Sequence, residues 1–116
     1  MFGDQQEGIM SKPRYIWWGY AKAVVREYPQ VSKSVEAQPI CKRREVDAVA
    51  DAVKTTREIP GGALRMRLIR MVYWDRSHTL DGAALKLGIH PQTAKNWNGD
   101  FVRQVGRNLG LMDGLG

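Results

Sequence analysis

The sequence contains few residues of the kinds that bind metals or form cross-links. Among its 116 residues there are one cysteine, Cys41, and two histidines, His78 and His90. A single cysteine cannot form an internal disulfide, and these three residues show no ligand spacing, so we expect no metal site. No apolar run approaches the roughly 18 residues of a membrane span, and residues 1–13 lack the apolar core of a signal peptide. We therefore expect a soluble intracellular protein without a membrane partner.

The residue patterns of a catalytic site are also missing. The sequence shows no paired nucleophile and base, no carboxylate dyad and no glycine-rich phosphate loop. The segment Ile59-Pro60-Gly61-Gly62 lacks the Lys-Ser/Thr pair that a P-loop requires. We therefore expect neither an enzyme activity nor a cofactor.

Acidic residues are scarce relative to basic ones, above all in the second half of the chain. The sequence has 18 Lys and Arg against 12 Asp and Glu, which gives a net charge of +6 and a pI near 9.8. Residues 60–116 carry eight basic and four acidic residues, a net charge of 8 − 4 = +4. This bias favours a polyanion as partner, although a basic surface without such a partner is also common.

The spacing of apolar residues predicts an all-α protein, a small helical domain whose C-terminal helix-turn-helix is preceded by two or three helices. Residues 1–12 are expected to be a disordered tail, residues 13–59 an N-terminal helical region, residues 60–110 the helix-turn-helix region and residues 111–116 a flexible tail. The individual helices are predicted over residues 14–27, where Pro29 ends the first of them, and over 42–57, 63–74, 80–87 and 91–108.

The pattern of two helices joined by a tight turn lies between Thr79 and Phe101. Thr79 is a suitable cap for the first helix, and Gly88 suits the left-handed conformation that ends a helix. His90 occupies the N-cap position of the second helix, and Pro91 its first position, where a missing N–H costs nothing. An ordinary helical hairpin is the alternative that this turn leaves open.

The second helix of this pair is expected to present polar side chains to a partner. Its amides and cations can bond base edges or phosphates of double-stranded DNA, which is the predicted partner. The candidates for base contacts are His90, Gln92, Lys95 and Asn96, and those for the DNA backbone are Arg76, Thr79, Thr93, Arg103 and Arg107. Asn98 is also expected to face outward.

The first predicted helix is rich in aromatic residues. Because a single small motif rarely gives enough affinity for DNA, we expect a homodimer with half-sites about 10 base pairs apart or a multiple of that. The candidates for the dimer interface are Trp17, Trp18, Tyr20 and Val24. Packing of these residues into the protein's own core is the alternative.

Three segments of the chain together resemble a known family. They are Trp18–Lys22 leading to Val25–Pro29, Ile69–Tyr73, and Ala83 to Trp97 followed by Asn108–Leu111. Their order and spacing resemble small phage and prophage transcriptional regulators of the RinA/ArpU type, which are related to sigma-factor region 4. The resemblance implies a DNA-binding regulator that acts near a promoter in the cytoplasm of a bacterial host cell.

Two alternative functions stay open. The resemblance to sigma region 4 also fits a sigma-like or antitermination factor that acts mainly through RNA polymerase. A small terminase subunit uses a helix-turn-helix on phage DNA as well, but it would need an oligomerisation segment after the motif, where only about ten residues follow.

Overall fold

The computed structural model of the chain describes residues 16–111. Over this range the protein is all-helical with five α-helices and no strand, which confirms the predicted fold class. A short 3-10 turn, Val35–Ala37, joins the first two helices, and a π-helical turn, Arg70–Trp74, continues the third. The helices are α1 (Trp18–Ser32), α2 (Ile40–Arg57), α3 (Gly62–Ile69), α4 (Leu80–Leu87) and α5 (Pro91–Asn108). The predicted disordered tail, residues 1–12, lies outside the described residues.

Helix α1 was predicted to end before Pro29. It instead continues through this proline to Ser32. Proline has no N–H and so cannot donate to the carbonyl four residues earlier, which is that of Val25. The indole N–H of Trp74 donates to this carbonyl instead, at 2.8 Å. The prediction was wrong because a residue distant in sequence supplies the hydrogen bond that proline removes from the helix.

The break between α2 and α3 is confirmed at residues 59–62. Gly61 adopts a left-handed conformation with φ +75°, which side chains with a Cβ rarely tolerate. Gly62 packs so closely against the backbone of Thr56 and Arg57 that a Cβ at this position would overlap it. These two glycines let α3 fold directly back against the end of α2.

The larger of two apolar clusters joins α1, α2, α3 and α5. Its fully buried side chains include Val25, Val49, Ile69, Val102 and Val105, one or two from each of these helices. Asn108, at the end of α5, adds a hydrogen bond from its Nδ2 to the carbonyl of Ala48, at 2.9 Å. The N-terminal helices and the second half of α5 therefore share one core.

The smaller cluster lies beneath α4 and the first half of α5. Leu68 of α3 is fully buried there against Ala83, Ala84 and Ala94. The three alanines are small enough to let α4, α5 and α3 approach closely. Helix α3 contributes side chains to both clusters and therefore lies at the centre of the fold.

Two residues of the predicted dimer interface belong to the core instead. Trp17 is 8% exposed and Val24 is 4% exposed, and both pack in the larger cluster. The aromatic ring of Trp17 lies against Gly106 of α5, where the missing side chain makes room for it. The assignment of Trp17 and Val24 to a dimer interface was therefore wrong, and packing against α5 explains their apolar character.

The other two residues of that set lie nearer the surface. Trp18 is half-buried, and Tyr20 is 45% exposed and donates from its hydroxyl to a carboxylate oxygen of Glu45, at 2.5 Å.

Of the predicted flexible tail, Leu111 is the one residue described. Its N–H donates to the carbonyl of Gly106 at 2.9 Å and its side chain packs against the core, so this residue is held in place.

Candidate nucleic-acid interface

Local capping fixes the corner between α4 and α5. The hydroxyl of Thr79 accepts a hydrogen bond from the N–H of Gly82 at 3.1 Å, which caps α4 as predicted. Gly88 ends this helix with φ +72°, and the N–H of Ile89 donates to the carbonyl of Ala84 at 3.0 Å. The Ile89 side chain then packs in the smaller cluster. The turn is therefore stabilised both by hydrogen bonds and by an apolar contact.

The start of α5 is capped by a histidine. Nδ1 of His90 accepts from the N–H of Gln92 at 3.0 Å, and Pro91 takes the first helical position. While Nδ1 accepts this bond it carries no proton, so Nε2 of the exposed ring is the atom that can donate to a partner. His90 thus combines a structural cap with a free donor at the corner of the helix pair.

The three predicted base-contacting residues of α5 are brought together on an open surface. Gln92, Lys95 and Asn96 are all exposed, and Nε2 of Gln92 donates to Oδ1 of Asn96 at 3.1 Å. The amide pair stands beside the Lys95 ammonium on the first two turns of the helix. No part of the described chain covers these side chains, so a duplex could reach them without a change of fold.

One residue expected to face outward is instead part of the fold. Asn98 is half-buried, and its Oδ1 accepts a hydrogen bond from the hydroxyl of Tyr73 at 2.6 Å. Burial of this hydroxyl raises the pKa of Tyr73 to about 12, against the smaller opposing effects of Arg26 and Asn98. Asn98 therefore anchors α5 to the π-helical turn.

The residues predicted to contact a DNA backbone lie in different settings. Arg76, Thr79 and Arg107 are exposed, and Thr93 and Arg103 are half-buried. Arg76 stands in the link between the π-helical turn and α4, where its backbone adopts a left-handed φ of +53°. Such a conformation is uncommon for a residue with a side chain and is found most often in functional or tightly held segments.

The second half of α5 lies in a cluster of charged side chains, of which Arg103 was a predicted site residue and Arg65 and Asp100 were not. Nη2 of Arg103 pairs with Oδ1 of Asp100 at 2.9 Å, and Nη1 of Arg65 pairs with the other carboxylate oxygen at 3.3 Å. The Arg65 guanidinium also lies over the ring of Trp97, 5.1 Å from its centre. The sequence pattern does not connect Arg65 to this site, because the contact joins residues of two separate helices.

A single polar stripe runs along α5. Gln92, Asn96, Asp100, Arg103 and Arg107 follow one another at spacings of three or four residues, which places them on one side of the helix. The first half of the stripe carries neutral amides beside Lys95, and the second half carries one carboxylate and two guanidinium groups. The stripe thus presents hydrogen-bonding groups followed by net positive charge.

The described residues contain few features that point to other classes of site. Among residues 16–111 no three His, Cys, Asp or Glu side chains come together as a metal ion would need, and Cys41 is exposed. No helix in this part of the chain is both long and apolar enough to span a bilayer.

Comparisons of the chain with protein-family models, curated proteins and solved structures gave no match. The resemblance to RinA/ArpU-type regulators therefore rests on the motifs of this chain and stays a prediction.

Proposed function

We propose that the chain is a sequence-specific, DNA-binding regulator of phage or prophage transcription that reads the major groove with α5. The observation that carries this proposal is the exposure of Gln92, Lys95 and Asn96 together on the first two turns of that helix. Recognition helices contact base edges with residues in this part, while the preceding helix crosses the backbone. The corner at Gly88 and His90 holds α5 in an orientation that leaves its first turns projecting.

The side chains on this surface match the chemistry of base edges. An amide such as that of Asn96 or Gln92 pairs with adenine, and an ammonium such as that of Lys95 with the acceptors of guanine. Because the two amides already bond each other at 3.1 Å, they are held side by side before a duplex arrives. Binding would exchange this one hydrogen bond for bonds to bases, each good pair discriminating by about 1 to 3 kcal/mol.

The surrounding charge fits the proposal. The described chain has no acidic residue on α5 before Asp100, whereas Arg76, Lys86, Lys95 and Arg107 are all exposed around the helix pair. Exposed cations around a recognition helix neutralise DNA phosphates and supply affinity that does not depend on the DNA sequence.

The decisive experiment selects fragments from a random pool of duplexes with the full chain and then measures binding of the best site. Asn96→Ala should flatten the preference at one base pair, and Lys95→Ala should both weaken and broaden recognition. Gln30→Ala and Lys33→Ala are the matched controls, because they remove an exposed amide and an exposed ammonium from the end of α1. They should leave the selected sequence unchanged.

The proposal fails if the parent enriches no sequence, or if Asn96→Ala and Lys95→Ala select the same site as the parent with the same affinity. Transcription that depends on the protein at promoters that it does not bind would favour a factor acting through RNA polymerase instead.

A further inference from the structure

A cavity of about 420 Å³ opens beside the charged half of α5, between that helix, α3 and the end of α2. Its walls are partly apolar, formed by Ile59, Ile69, Trp97 and Phe101. Its volume lies within the range of small-molecule binding sites, which combine apolar walls with a few converging polar groups. The base-reading residues Gln92, Lys95 and Asn96 do not line it.

The polar lining is dominated by guanidinium groups. Arg65, Arg103 and Arg107 reach the cavity, and Asp100 is the one carboxylate in its wall, so these side chains carry 3 − 1 = +2 charges. Asp100 divides its two oxygens between Arg65 and Arg103. Arg107 has no carboxylate within 4.0 Å in the described chain and donates to the amide oxygen of Gln104 at 3.1 Å.

One hydrogen-bond donor of this cluster is buried and unused. Nε of Arg65 is shielded from solvent and has no acceptor among the described residues. A buried donor without a partner costs free energy, so the Arg65 side chain would gain by turning Nε towards an acceptor. The same guanidinium lies over the ring of Trp97, which restricts its plane. The cluster therefore has more donors than Asp100 can satisfy.

We propose that this cavity binds a phosphoryl group through Arg65, Arg103 and Arg107, with Trp97 as the wall against which the rest of the ligand packs. A phosphoryl group offers more acceptor oxygens than a carboxylate, and the planar guanidinium binds its oxygens two at a time. Asp100 holds the arginines together in the free protein and is the internal competitor of the ligand.

The phosphoryl group can come from two sources. One is a free phosphorylated small molecule. The other is a backbone phosphate of a duplex that lies on α5, since Asp100 and Arg103 continue the stripe that begins with Gln92 and Asn96. The second source rests on the proposed function, whereas the first does not.

The test uses the uniformly 15N-labelled full chain. It follows by NMR the Nε–H resonances of the three cavity arginines and the backbone amide resonances of Lys95 and Asn96. The probes are inorganic pyrophosphate, adenosine 5′-monophosphate and the duplex selected above. Arg65→Gln should weaken binding of the phosphorylated probe by about tenfold or more. Arg67→Gln, an exposed position on the same helix outside this cavity, is the matched control and should bind like the parent.

A second variant covers the case in which Arg65→Gln does not fold. Asp100→Asn keeps the shape of the side chain but removes the competing charge, so it should tighten phosphoryl binding by several-fold. An unchanged or weaker affinity in a folded Asp100→Asn protein would contradict the proposal.

The probes separate the possible results. Saturable shifts of the cavity arginines with pyrophosphate or adenosine 5′-monophosphate support a site for a free phosphorylated molecule, even if no duplex binds. Shifts with the duplex alone support a site for a backbone phosphate. If the duplex shifts the resonances of Lys95 and Asn96 and no probe shifts the cavity arginines, the cavity proposal is overturned and the proposed function stands. If no probe shifts any of these resonances, both are overturned.

Discussion

The indole nitrogen of Trp74 lies 2.8 Å from the carbonyl oxygen of Val25, which is the acceptor that Pro29 leaves without a helical donor. This hydrogen bond ties the π-helical turn to α1 at the one point where the ladder of α1 is incomplete. Because the same turn carries Tyr73, which bonds to Asn98 of α5, the bond also contributes to the placement of the helix pair.

We predict that Trp74→Phe and Pro29→Ala are energetically coupled. Trp74→Phe should lower the free energy of unfolding by about 1 to 3 kcal/mol, because it leaves the partly buried Val25 carbonyl without a donor. Pro29→Ala restores a backbone N–H that can donate to this carbonyl, so Trp74→Phe should cost about 1 kcal/mol less in that background. Urea unfolding of the parent, both single variants and the double variant measures the difference.

The control replaces a tryptophan of the smaller cluster. Trp97→Phe and Pro29→Ala should be additive, because Trp97 does not contact this carbonyl. Additivity of Trp74→Phe with Pro29→Ala would show that the indole does not substitute for the missing helical donor.

These contacts show where reasoning from sequence succeeds and where it stops. The corner at Gly88, His90 and Pro91 was predictable because each residue acts on backbone groups within a few positions of itself. The continuation of α1 through Pro29 was not, because its compensating donor lies 49 residues away. The same holds for Asn98, whose partner Tyr73 is 25 residues earlier. Spacing indicates the apolar side of a helix, but it does not identify the residue that a side chain contacts, and at Asn98 it gave the wrong orientation as well.

Arg65 shows the same limit in the candidate site. It is one of three arginines that lie between the apolar residues of this segment, and their spacing indicates no partner for it. Its role became visible only where α3 crosses α5 and brings it to Asp100 and Trp97.

Two glycines of α5 should respond in opposite directions to the same substitution. Alanine improves helix propensity at either position by about 1 kcal/mol. At Gly99 the new Cβ would lie 3.2 Å from the guanidinium of Arg103, a flexible and partly exposed group that can move aside. At Gly106 it would lie 2.6 Å from the buried ring of Trp17. Gly99→Ala should therefore raise the free energy of unfolding by up to about 1 kcal/mol, and Gly106→Ala should lower it by about 1 to 3 kcal/mol.

Each glycine variant is the control of the other, since they share a helix and a change in volume. Denaturant unfolding monitored by circular dichroism gives both values. A gain in stability for Gly106→Ala would mean that the Trp17 ring does not lie against α5.

Alkaline pH should destabilise the protein through Tyr73. Burial raises the pKa of Tyr73 to about 12, whereas the pKa of tyrosine in an unfolded chain is near its ordinary value of 10.0. The folded state thus favours the neutral hydroxyl, so the stabilisation is complete below pH 10 and is lost as the pH rises towards 12. The free energy of unfolding should fall by about 2 to 3 kcal/mol as this stabilisation is lost. Tyr73→Phe should remove this pH dependence, although it costs about 1 kcal/mol at neutral pH by depriving Asn98 of a donor.

The measurement is the free energy of unfolding at several pH values between 9 and 12. Burial and the Glu45 carboxylate likewise raise the pKa of Tyr20 to about 12. Because Tyr20 is 45% exposed, solvent screens this effect, and Tyr20→Phe should change the pH dependence less than Tyr73→Phe does. If the parent and Tyr73→Phe lose the same free energy of unfolding between pH 9 and 12, groups other than Tyr73 cause the alkaline destabilisation.

Finally, the proposed DNA complex should depend unequally on two arginines of the same stripe. Arg107 is exposed and has no carboxylate partner in the described chain, whereas Arg103 pairs with Asp100 at 2.9 Å. Binding of a phosphate to Arg103 must replace this carboxylate, so the gain in charge neutralisation is smaller. The slope of log K against log salt concentration is negative, and Arg107→Gln should reduce its magnitude by about 0.9, whereas Arg103→Gln should reduce it by less.

The pairing with Asp100 is tested by repeating Arg103→Gln in an Asp100→Asn background. Without the carboxylate, Arg103 is free to neutralise a phosphate, and its removal should then reduce the magnitude of the slope by about 0.9 as well. Binding to a fixed duplex at four or more salt concentrations measures all the slopes. Equal slopes for Arg103→Gln in both backgrounds would mean that Asp100 does not compete with the DNA backbone, and that the ion pair lies outside the contact surface.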